Sequence, residues 1–275
     1  MSNLKKYTVP AVLAIVVGLV VSSAGAAIVA EDVSNYWSMN GNAKDWVGLA
    51  HGTLSGTTTY STNAVAGGQA LSGDGVSGQM ATSAIVSSNF TISAWVRPVS
   101  AGGGSGGRIF ETRDAALSRP DGLMVYTTPT SIDLWFADGA GHLTTKSLAL
   151  STLGLSFGEY FHFTMTVGAP KLDMGYPLAQ TRVFINGVDV WTEQWATIPL
   201  SNRLNIGGNQ AGNRAFDGQI DEVTVFNRML TYAEIQDFYT NMDGTVATLV
   251  PEPTTCLLLL AGSAMAITRR NRRGR

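Results

Sequence analysis

The fold of this chain is decided by a stretch near its C-terminus, which reads LNIGG at residues 204–208 and AFDGQIDEVTVFNRMLTYAEI at residues 215–235. The first segment predicts a strand that ends at two glycines, and a polar loop follows it. The second segment predicts another strand, in which Ile220, Val223 and Val225 are interspersed with polar residues. Thr231 and Glu234 have the spacing of a capping box, which predicts that a short helix begins after Thr231.

Most of the chain between residues 32 and 246 predicts strands. Short alternating runs recur there, bounded by Gly, Asn, Asp and Pro, which is typical of an all-β sandwich or barrel. Only residues 232–239 predict a helix. Asn186 and Gly187 separate two such runs and predict a hairpin with a type I′ turn. No proline-rich linker or internal repeat divides this part, so we predict one domain over residues 31–248.

Several of these segments resemble the LamG-like, concanavalin A-like jelly rolls. Residues 216–235 match the closing signature of that family, F-x-G-x-I-D-E-V-x-x-[YF]-N-R-x-L-[ST]-x-x-E-I. Residues 90–98 match its strand F-T-I-S-A-W-V-[KR]-P, and residues 45–54 match its loop D-x-x-G-x-x-H-G-T-L. The resemblance implies an all-β fold, a two-sheet antiparallel jelly-roll sandwich with one short C-terminal helix.

The N-terminus has the features of a secretory signal peptide. Lys5 and Lys6 precede an apolar run at residues 9–21, and the small residues 24–26 follow it. The run is shorter than the roughly 20 residues that a membrane-spanning helix needs. We therefore predict a signal peptide over residues 1–26, which signal peptidase removes during export.

The C-terminal residues 250–275 resemble the PEP-CTERM sorting signal. They contain, in order, Pro251, Glu252 and Pro253, an apolar segment at residues 256–267, and an arginine cluster that begins with Arg269 and Arg270. The resemblance implies that an exosortase recognises this tail, removes it, and passes the protein to the cell surface or extracellular matrix of a bacterium. Arginines stay on the cytoplasmic side, so the tail would contact the membrane transiently. A permanent anchor is the alternative, and modification of Cys256 stays open.

The two ends hide the charge of the domain between them. The whole chain has 18 basic and 20 acidic side chains, of which the leader holds two lysines and the tail holds five arginines and one glutamate. The domain therefore has 11 basic and 19 acidic side chains, a net charge of −8. Such a surface disfavours nucleic acids and anionic membranes as partners. The single cysteine, Cys256, lies in the tail, so the domain folds without disulfides.

An enzymatic function is not favoured. Glycoside hydrolases of the laminarinase type carry E-x-D-x-x-E on one strand, and this spacing is missing from the sequence. Hydrolysis of a glycosidic bond needs two carboxylates about 5 to 9 Å apart. Asp221 and Glu222 are adjacent on a predicted strand, so we expect them to point to opposite faces. We therefore predict that the chain is not an enzyme.

A binding function is predicted from the alternation of side chains. If Leu134 faces the core, then Asp133 and Trp135 face outward, and the same alternation places Trp95 and Arg97 outward. Flat aromatic rings beside charges and hydroxyls suit the amphipathic surface of a sugar. The candidate ligand-binding residues, which we expect on one sheet, are Trp135, Asp133, Trp95, Arg97 and His162. The alternative is that loops cover this face, so that the tryptophans form a second small core and the histidine is structural.

The resemblance also implies a structural calcium ion, because relatives often use one to pin the N-terminal loop to the closing strand. The candidate ligands are Asp45 in that loop, Asp221 on the closing strand and Asp217 beside it. Ca²⁺ takes about six to eight oxygen ligands, which acidic and glycine-rich loops supply. For Asp221, a hydrogen bond to the backbone is the alternative role.

These features together predict an exported, surface-sorted binding module. Its partner would be an extracellular polysaccharide or a surface protein. The alternative is a structural or adhesion protein of the exopolysaccharide matrix with no specific glycan ligand, and a glycoside hydrolase is less favoured. A recognition protein should present Trp135 in an open groove, whereas in a structural protein that face should be covered.

Overall fold

The computed structural model describes residues 27–86, 89–104, 106–112, 121–138, 143–168, 179–195 and 203–241. The predicted signal peptide and sorting signal lie outside the described residues. The strands in these ranges are β1 (Val33–Trp37), β2 (Thr53–Gly56), β3 (Thr59–Ser61), β4 (Ala70–Asp74), β5 (Gly78–Thr82), β6 (Phe90–Pro98), β7 (Arg108–Glu111), β8 (Asp121–Thr127), β9 (Ser131–Asp138), β10 (Leu143–Ala149), β11 (Phe161–Gly168), β12 (Ala179–Ile185), β13 (Val188–Trp195), β14 (Leu204–Ile206) and β15 (Asp217–Phe226). Two helices accompany them, α1 (Leu150–Leu153) and α2 (Tyr232–Thr240).

The strands form two antiparallel sheets. In the eight-stranded sheet the order is β13-β12-β11-β6-β15-β4-β3, and β1 also pairs with β15. In the seven-stranded sheet the order is β10-β9-β8-β7-β14-β5-β2. Neighbours such as β6 and β15 are far apart in the chain, as expected where connections cross between sheets. The predicted two-sheet antiparallel jelly roll is confirmed.

The core lies between the sheets and follows the alternation of side chains along each strand. On β6, Phe90 and Ile92 are at most 1% exposed, and on β9, Leu134 and Phe136 are at most 4% exposed. All four belong to one apolar cluster that both sheets contribute to. Burial of apolar surface at about 25 cal/mol per Å² is the main force that holds such a sandwich together.

The closing strand β15 is central to the eight-stranded sheet, because it pairs with β6, β4 and β1. Its pairing with β6 is interrupted by a bulge between Asp221 and Thr224. Glu222 lies in this bulge with φ of 53°, a region that residues other than glycine rarely adopt. A bulge inserts an extra residue, so the alternation of side chains is disturbed there.

The predicted turn and helix start are both confirmed. Asn186 and Gly187 join β12 to β13 with φ of 50° and 74°, the positive values that a type I′ turn requires. At the start of α2, the Glu234 N–H donates to Thr231 Oγ1 at 3.3 Å, and the Thr231 N–H donates to Glu234 Oε2 at 2.7 Å. The four-residue α1 was not predicted.

Helix α2 packs on the outer face of the eight-stranded sheet. A second apolar cluster there contains Val33, Tyr36, Phe184, Phe226, Leu230 and Ile235. The Phe238 ring meets the Phe226 ring edge to face, with their centroids 5.5 Å apart. Arg228 binds both Glu234 and Asp32 at 2.6 and 2.7 Å, which ties the helix to the N-terminal segment. We call this outer face the helix-covered face.

Candidate functional site

Trp135 and Asp133 lie on the outer face of the seven-stranded sheet. On β9, they alternate with the core residues Leu134 and Phe136. Trp135 is opposite Met124 on β8, and Asp133 is opposite Tyr126. Because directly paired residues project to the same side of a sheet, these residues share one surface. The predicted outward orientation of Asp133 and Trp135 is therefore what the structure shows.

This surface continues across the middle of the sheet as a row of paired residues. Met124 is opposite Glu111 on β7, Glu111 is opposite Asn205 on β14, and Asn205 is opposite Ala81 on β5. The flanking residues Leu204 and Ile206 belong to the core, so Asn205 projects outward. We call the outer surface that contains Trp135, Asp133, Tyr126, Glu111 and Asn205 the Trp135 face.

An ion pair lies near the centre of the Trp135 face. Arg108 Nε donates to Glu111 Oε2 at 3.1 Å, and its Nη1 donates to the Gly106 carbonyl at 3.2 Å. The guanidinium lies over the Tyr126 ring, 4.4 Å from the ring centroid. Burial lowers the pKa of Arg108, and Glu111 opposes this effect. Burial, aided by Asp133, raises the pKa of Tyr126.

The two ends of the Trp135 face differ in exposure. At the edge of the sheet, Leu143 on β10 is 56% exposed, and its neighbours Thr145 and Ser147 are exposed. Trp135 is half-buried, whereas Glu111 is 2% and Asn205 is 0% exposed. Trp135 is therefore the more exposed end of this face, while the central residues lie deeper.

The sequence analysis did not identify four central residues of this face, namely Arg108, Glu111, Tyr126 and Asn205. A signal was available for Asn205, because an amide between Leu204 and Ile206 on a strand must face away from the core. The grouping itself was not predictable, because sequence alternation does not tell which strands are neighbours.

Trp95, Arg97 and His162 do not share a surface with Trp135, so the prediction of one combined face was wrong. They lie on β6 and β11, which belong to the eight-stranded sheet, and His162 is opposite Trp95. Alternation placed all five residues outward, but the outward sides belong to two different sheets. The opposite faces of a sandwich are separated by both sheets and the core, so one ligand cannot bridge them.

The buried His162 and the half-buried Trp95 pack together beneath α2. The His162 ring stacks on Tyr239 with centroids 5.7 Å apart, and Trp95 lies 5.9 Å from the same ring. His162 Nε2 is 2.8 Å from Ser93 Oγ, and both residues are at most 2% exposed. Burial lowers the pKa of His162 to about 3, so the ring is neutral. The alternative role, a structural histidine in a second core, is the one observed.

Arg97 bonds within the fold at the edge of the helix-covered face. Its Nε donates to the Gly158 carbonyl at 2.7 Å, and its Nη1 donates to Gln219 Oε1 at 2.6 Å. These bonds connect β6 to the loop before β11 and to β15. The polar side chain of Arg97 thus stabilises the eight-stranded sheet and its adjoining loop.

Asp221 and Glu222 point to the same side of the sheet, contrary to the expectation from simple alternation. Asp221 is opposite Trp95, on the outer side. Glu222 accepts a 2.5 Å hydrogen bond from the hydroxyl of Tyr36, a member of the outer cluster. The bulge between Asp221 and Thr224 supplies the extra residue that cancels the alternation.

Both carboxyl groups are buried, and burial changes their acidity. Asp221 is 0% and Glu222 is 6% exposed. Desolvation raises the pKa of Asp221 to about 6, although the N–H groups of Ala66, Val65 and Glu222 oppose it. Desolvation raises the pKa of Glu222 to about 7, and the charge of Asp221 adds to this rise.

Asp45 organises the loop that follows β1. Its carboxylate accepts five hydrogen bonds of 2.6 to 3.1 Å, from the N–H groups of Tyr36, Val47, Gly48 and Ala50 and from the Asn35 amide. The residue is 2% exposed. Both of its oxygens therefore already have donors, and the carboxylate ties several backbone groups of the loop together.

The predicted calcium ligands do not fit a calcium ion in this arrangement. Asp45 is surrounded by N–H donors, and Asp221 accepts from three more, at 2.9 to 3.2 Å. Calcium needs oxygens that are free to turn toward it, whereas these point at hydrogen atoms. Asp217 is half-buried at the start of β15. In the described part of the chain, no three His, Cys, Asp or Glu side chains gather at one point.

A separate pocket of about 330 Å³ lies beside β1, next to the loop that Asp45 organises. Its lining consists of Ser34, Asn35, Leu49, Ala50, Ser83, Ala84 and Ile85. Leu49 and Ile85 are 91% and 61% exposed. The lining has no carboxylate and no aromatic ring, so it offers less chemistry than the Trp135 face.

Comparison with protein families agrees with this geometry. Residues 71–236 match the model of the concanavalin A-like lectin/glucanases superfamily, which is more than half of the chain. The chain belongs to this superfamily. Residues 249–273 match the PEP-CTERM protein-sorting motif. The protein is therefore exported and surface-associated in bacteria, and its fold and sorting signal are those of a secreted module of carbohydrate-binding type.

Solved structures share the fold at low identity. Domain 4 of AbnA, a GH43 extracellular arabinanase from Geobacillus stearothermophilus, in complex with arabinotriose, has a TM-score of 0.54 and 18% identity, over 75% of this chain and 97% of that domain. The receptor-binding domain of botulinum neurotoxin type G has a TM-score of 0.54 and 15% identity, over 77% of this chain and 51% of that one. At these identities the likeness shows the fold alone.

No curated protein matches the chain in sequence. Within the residues that the structure describes, no helix is long and apolar enough to cross a membrane. The predicted boundaries of the signal peptide, the domain and the tail stay predictions, although the sorting motif overlaps the predicted tail.

Proposed function

We propose that this superfamily member is a non-enzymatic module that binds an extracellular polysaccharide through the Trp135 face. The observation that carries the proposal is the position of Trp135. Its half-buried indole lies on the outer face of the seven-stranded sheet, beside the carboxylate of Asp133 and the exposed hydroxyls of Thr145 and Ser147. A fixed aromatic ring next to hydrogen-bonding groups matches a sugar, which has apolar C–H faces and hydroxyl edges.

The neighbouring strands add the polar groups that fix the orientation of a ligand. Ser131 donates to Asp133 Oδ1 at 2.6 Å, which orients that carboxylate. The Arg108–Glu111 pair and the Tyr126 ring extend the surface toward β7. A binding site of this kind needs a few positioned polar groups around an aromatic contact.

The distribution of the acidic groups supports a binding role rather than catalysis. A glycosidase needs a carboxylic acid with a raised pKa close to a second carboxylate, both facing the substrate. The two carboxyls with raised pKa values, Asp221 and Glu222, are buried on the outer side of the eight-stranded sheet. Trp135 lies on the opposite side of the sandwich, so these groups cannot act on a ligand bound there.

The similar structures are consistent with a recognition role. The arabinanase domain was solved with arabinotriose, and the neurotoxin domains are receptor-binding domains. Those statements apply to those proteins. For this chain they support the choice of an extracellular ligand, and the sorting motif supports a location where polysaccharide is present.

The second candidate is a structural or adhesion protein of the matrix with no specific glycan ligand. The burial of Glu111 and Asn205 at the centre of the Trp135 face favours it. On this account a surface protein would be the partner, and Trp135 would contribute no sugar specificity.

A direct test compares two aromatic substitutions in binding to a polysaccharide panel. The panel contains neutral arabinan, xylan, mannan and glucan, and the anionic polymers alginate and polygalacturonate, each tested with calcium and with chelator. We expect Trp135→Ala to weaken binding to one neutral polymer by at least about tenfold. Tyr232→Ala is the matched control, because Tyr232 is 49% exposed on α2, and its binding should be unchanged. Equal effects of the two variants would reject the proposed site.

A further inference from the structure

The central part of the Trp135 face contains buried amide atoms that have no hydrogen-bond partner in the part of the chain that the structure describes. Neither the Nδ2 nor the Oδ1 atom of Asn205 has a hydrogen bond in the described part of the chain, and the residue is 0% exposed. Gln79 Oε1 also lacks a partner there, and Gln79 is 7% exposed. A buried polar group without a partner has lost its bonds to water and gained none in return.

These two side chains belong to one small region of the surface. Asn205 is opposite Ala81, and Gln79 lies two residues along the same strand, so it projects to the same side. Diagonal neighbours of this kind are about 7 to 8 Å apart at their Cα atoms. On its other side Asn205 is opposite Glu111. Two amides and a carboxylate therefore face outward across three adjacent strands.

Asn205 differs from the other buried groups without partners. The remaining atoms of this kind in the described residues, apart from Gln79 Oε1, are single hydroxyl oxygens, of Thr58, Tyr60, Thr166, Thr181 and Thr224. A hydroxyl carries one hydrogen and rotates to suit its surroundings, whereas an amide carries two donors and an acceptor in a fixed plane. Among the buried side-chain amides of the described residues, only that of Asn205 has both its nitrogen and its oxygen unpaired.

A role in ligand binding would explain why the chain has a residue at this position that is unfavourable for folding. An apolar side chain of similar size at this position would avoid the loss of hydrogen bonds to water. Stability is commonly given up at sites that must be complementary to a ligand. The amides of Asn205 and Gln79 supply both donors and acceptors, and a sugar hydroxyl also has both.

We propose that Asn205 and Gln79 form a subsite that binds the hydroxyl groups of a neutral sugar unit, in a ligand whose other end stacks on Trp135. This inference rests on the proposed function. Asn205 is three strands from Trp135, through β8 and β7, which is about 14 Å at the spacing of paired strands. That span exceeds one sugar ring, so the ligand is an oligosaccharide or a polysaccharide segment. The ligand unit is neutral because the positive charge of Arg108 is already matched by Glu111.

The burial of Asn205 has a kinetic consequence. Because its amide is not exposed in the free protein, a ligand reaches it only after a local rearrangement. Association that requires such a change is slower than typical protein association, below about 10⁵ M⁻¹s⁻¹. Contact with Trp135 alone needs no such step.

The test uses the full chain and near-isosteric substitutions. Asn205→Leu and Gln79→Met remove the amides, and Thr181→Val is the matched control, since Thr181 is 0% exposed with an unpaired hydroxyl in the eight-stranded sheet. Urea unfolding gives the stability, and affinity electrophoresis in arabinan, xylan, mannan or glucan gives the binding. We expect Asn205→Leu to unfold at the same or a higher urea concentration than the unsubstituted chain, and to lose at least about tenfold in affinity. Thr181→Val should keep both its stability and its binding.

The outcomes separate this inference from the proposed function. If the unsubstituted chain binds and Trp135→Ala weakens binding, but Asn205→Leu does not, then the subsite is wrong and the proposed function stands. If Asn205→Leu unfolds at a clearly lower urea concentration than Thr181→Val, its amide has a partner in the fold and the inference fails. If the unsubstituted chain binds no polymer of the panel, the proposed function and the subsite are both overturned.

Discussion

The buried carboxylates of this domain differ in how their charge is stabilised. The Asp45 carboxylate accepts five hydrogen bonds from N–H groups. Among the described residues, the Glu222 carboxylate accepts one side-chain hydrogen bond, from the hydroxyl of Tyr36. An ionised carboxylate that accepts several N–H bonds is stabilised inside a protein, and one with few donors is not. The consequences for stability are therefore opposite for these two residues.

Substitution of Asp45 should weaken the fold, and removal of calcium should not. In Asp45→Asn, an NH₂ group replaces an acceptor oxygen and faces N–H donors. We expect a loss of roughly 3 kcal/mol in the free energy of unfolding, measured in urea. The melting temperature of the unsubstituted protein should be the same with calcium and with chelator. A fall in that temperature on chelation would instead support the predicted calcium site.

Glu222→Gln should stabilise the protein above neutral pH. The pKa of this carboxyl is near its ordinary value of 4.5 in the unfolded chain, and burial raises the pKa to about 7 in the folded one. As the pH rises between these values, the unfolded chain loses a proton that the folded chain retains, so the free energy of unfolding decreases. At pH 8 we expect the glutamine variant to be more stable by about 1 to 3 kcal/mol, and at pH 4 the difference should disappear. Urea titrations at both pH values measure this, and a constant difference would contradict the pKa shift.

Among the structural elements, the strands were predicted well and the bulge was not. Residues 90–98 were expected as a strand, and β6 is Phe90–Pro98. Alternation gave the correct inward residues on β6 and β9 because period-2 patterns reflect burial. It failed at Glu222, since a glutamate with positive φ carries no sequence signal comparable to a glycine.

Alternation also shows which side of a strand faces outward, but not which sheet the strand joins. Trp95 and Trp135 have the same local pattern, and both project outward. Long-range pairing places β6 and β9 in different sheets, which no local pattern encodes. The sequence therefore predicted only part of the candidate site. It placed Trp135 and Asp133 on one face, but it did not identify Glu111 and Asn205.

The capping box of α2 can be tested as an element. In Thr231→Ala the acceptor for the Glu234 N–H is lost, so we expect the free energy of unfolding to fall by about 1 kcal/mol. Thr231→Ser keeps the oxygen and is the matched control, with a smaller loss. Urea unfolding gives both values. If the serine and alanine variants lose the same amount, the hydrogen bond does not account for the effect.

At the scale of the whole molecule, the two outer faces of the sandwich differ in how they are covered. Helix α2 covers one of them, where Trp95 and His162 pack with Tyr239. The other face has an accessible edge at Trp135 and buried polar groups at its centre. The sorting motif places this asymmetric sandwich at the surface of a bacterial cell.

The most direct test of this account compares Trp135→Ala with Trp95→Ala, by measuring polysaccharide affinity and urea stability for both. The account predicts that Trp135→Ala loses at least about tenfold in affinity with little change in stability. Trp95→Ala should lose more stability than Trp135→Ala, because its ring packs against His162 and Tyr239, and it should keep its affinity under conditions where it is folded. If Trp95→Ala abolishes binding while Trp135→Ala does not, the ligand-binding face has been assigned to the wrong sheet.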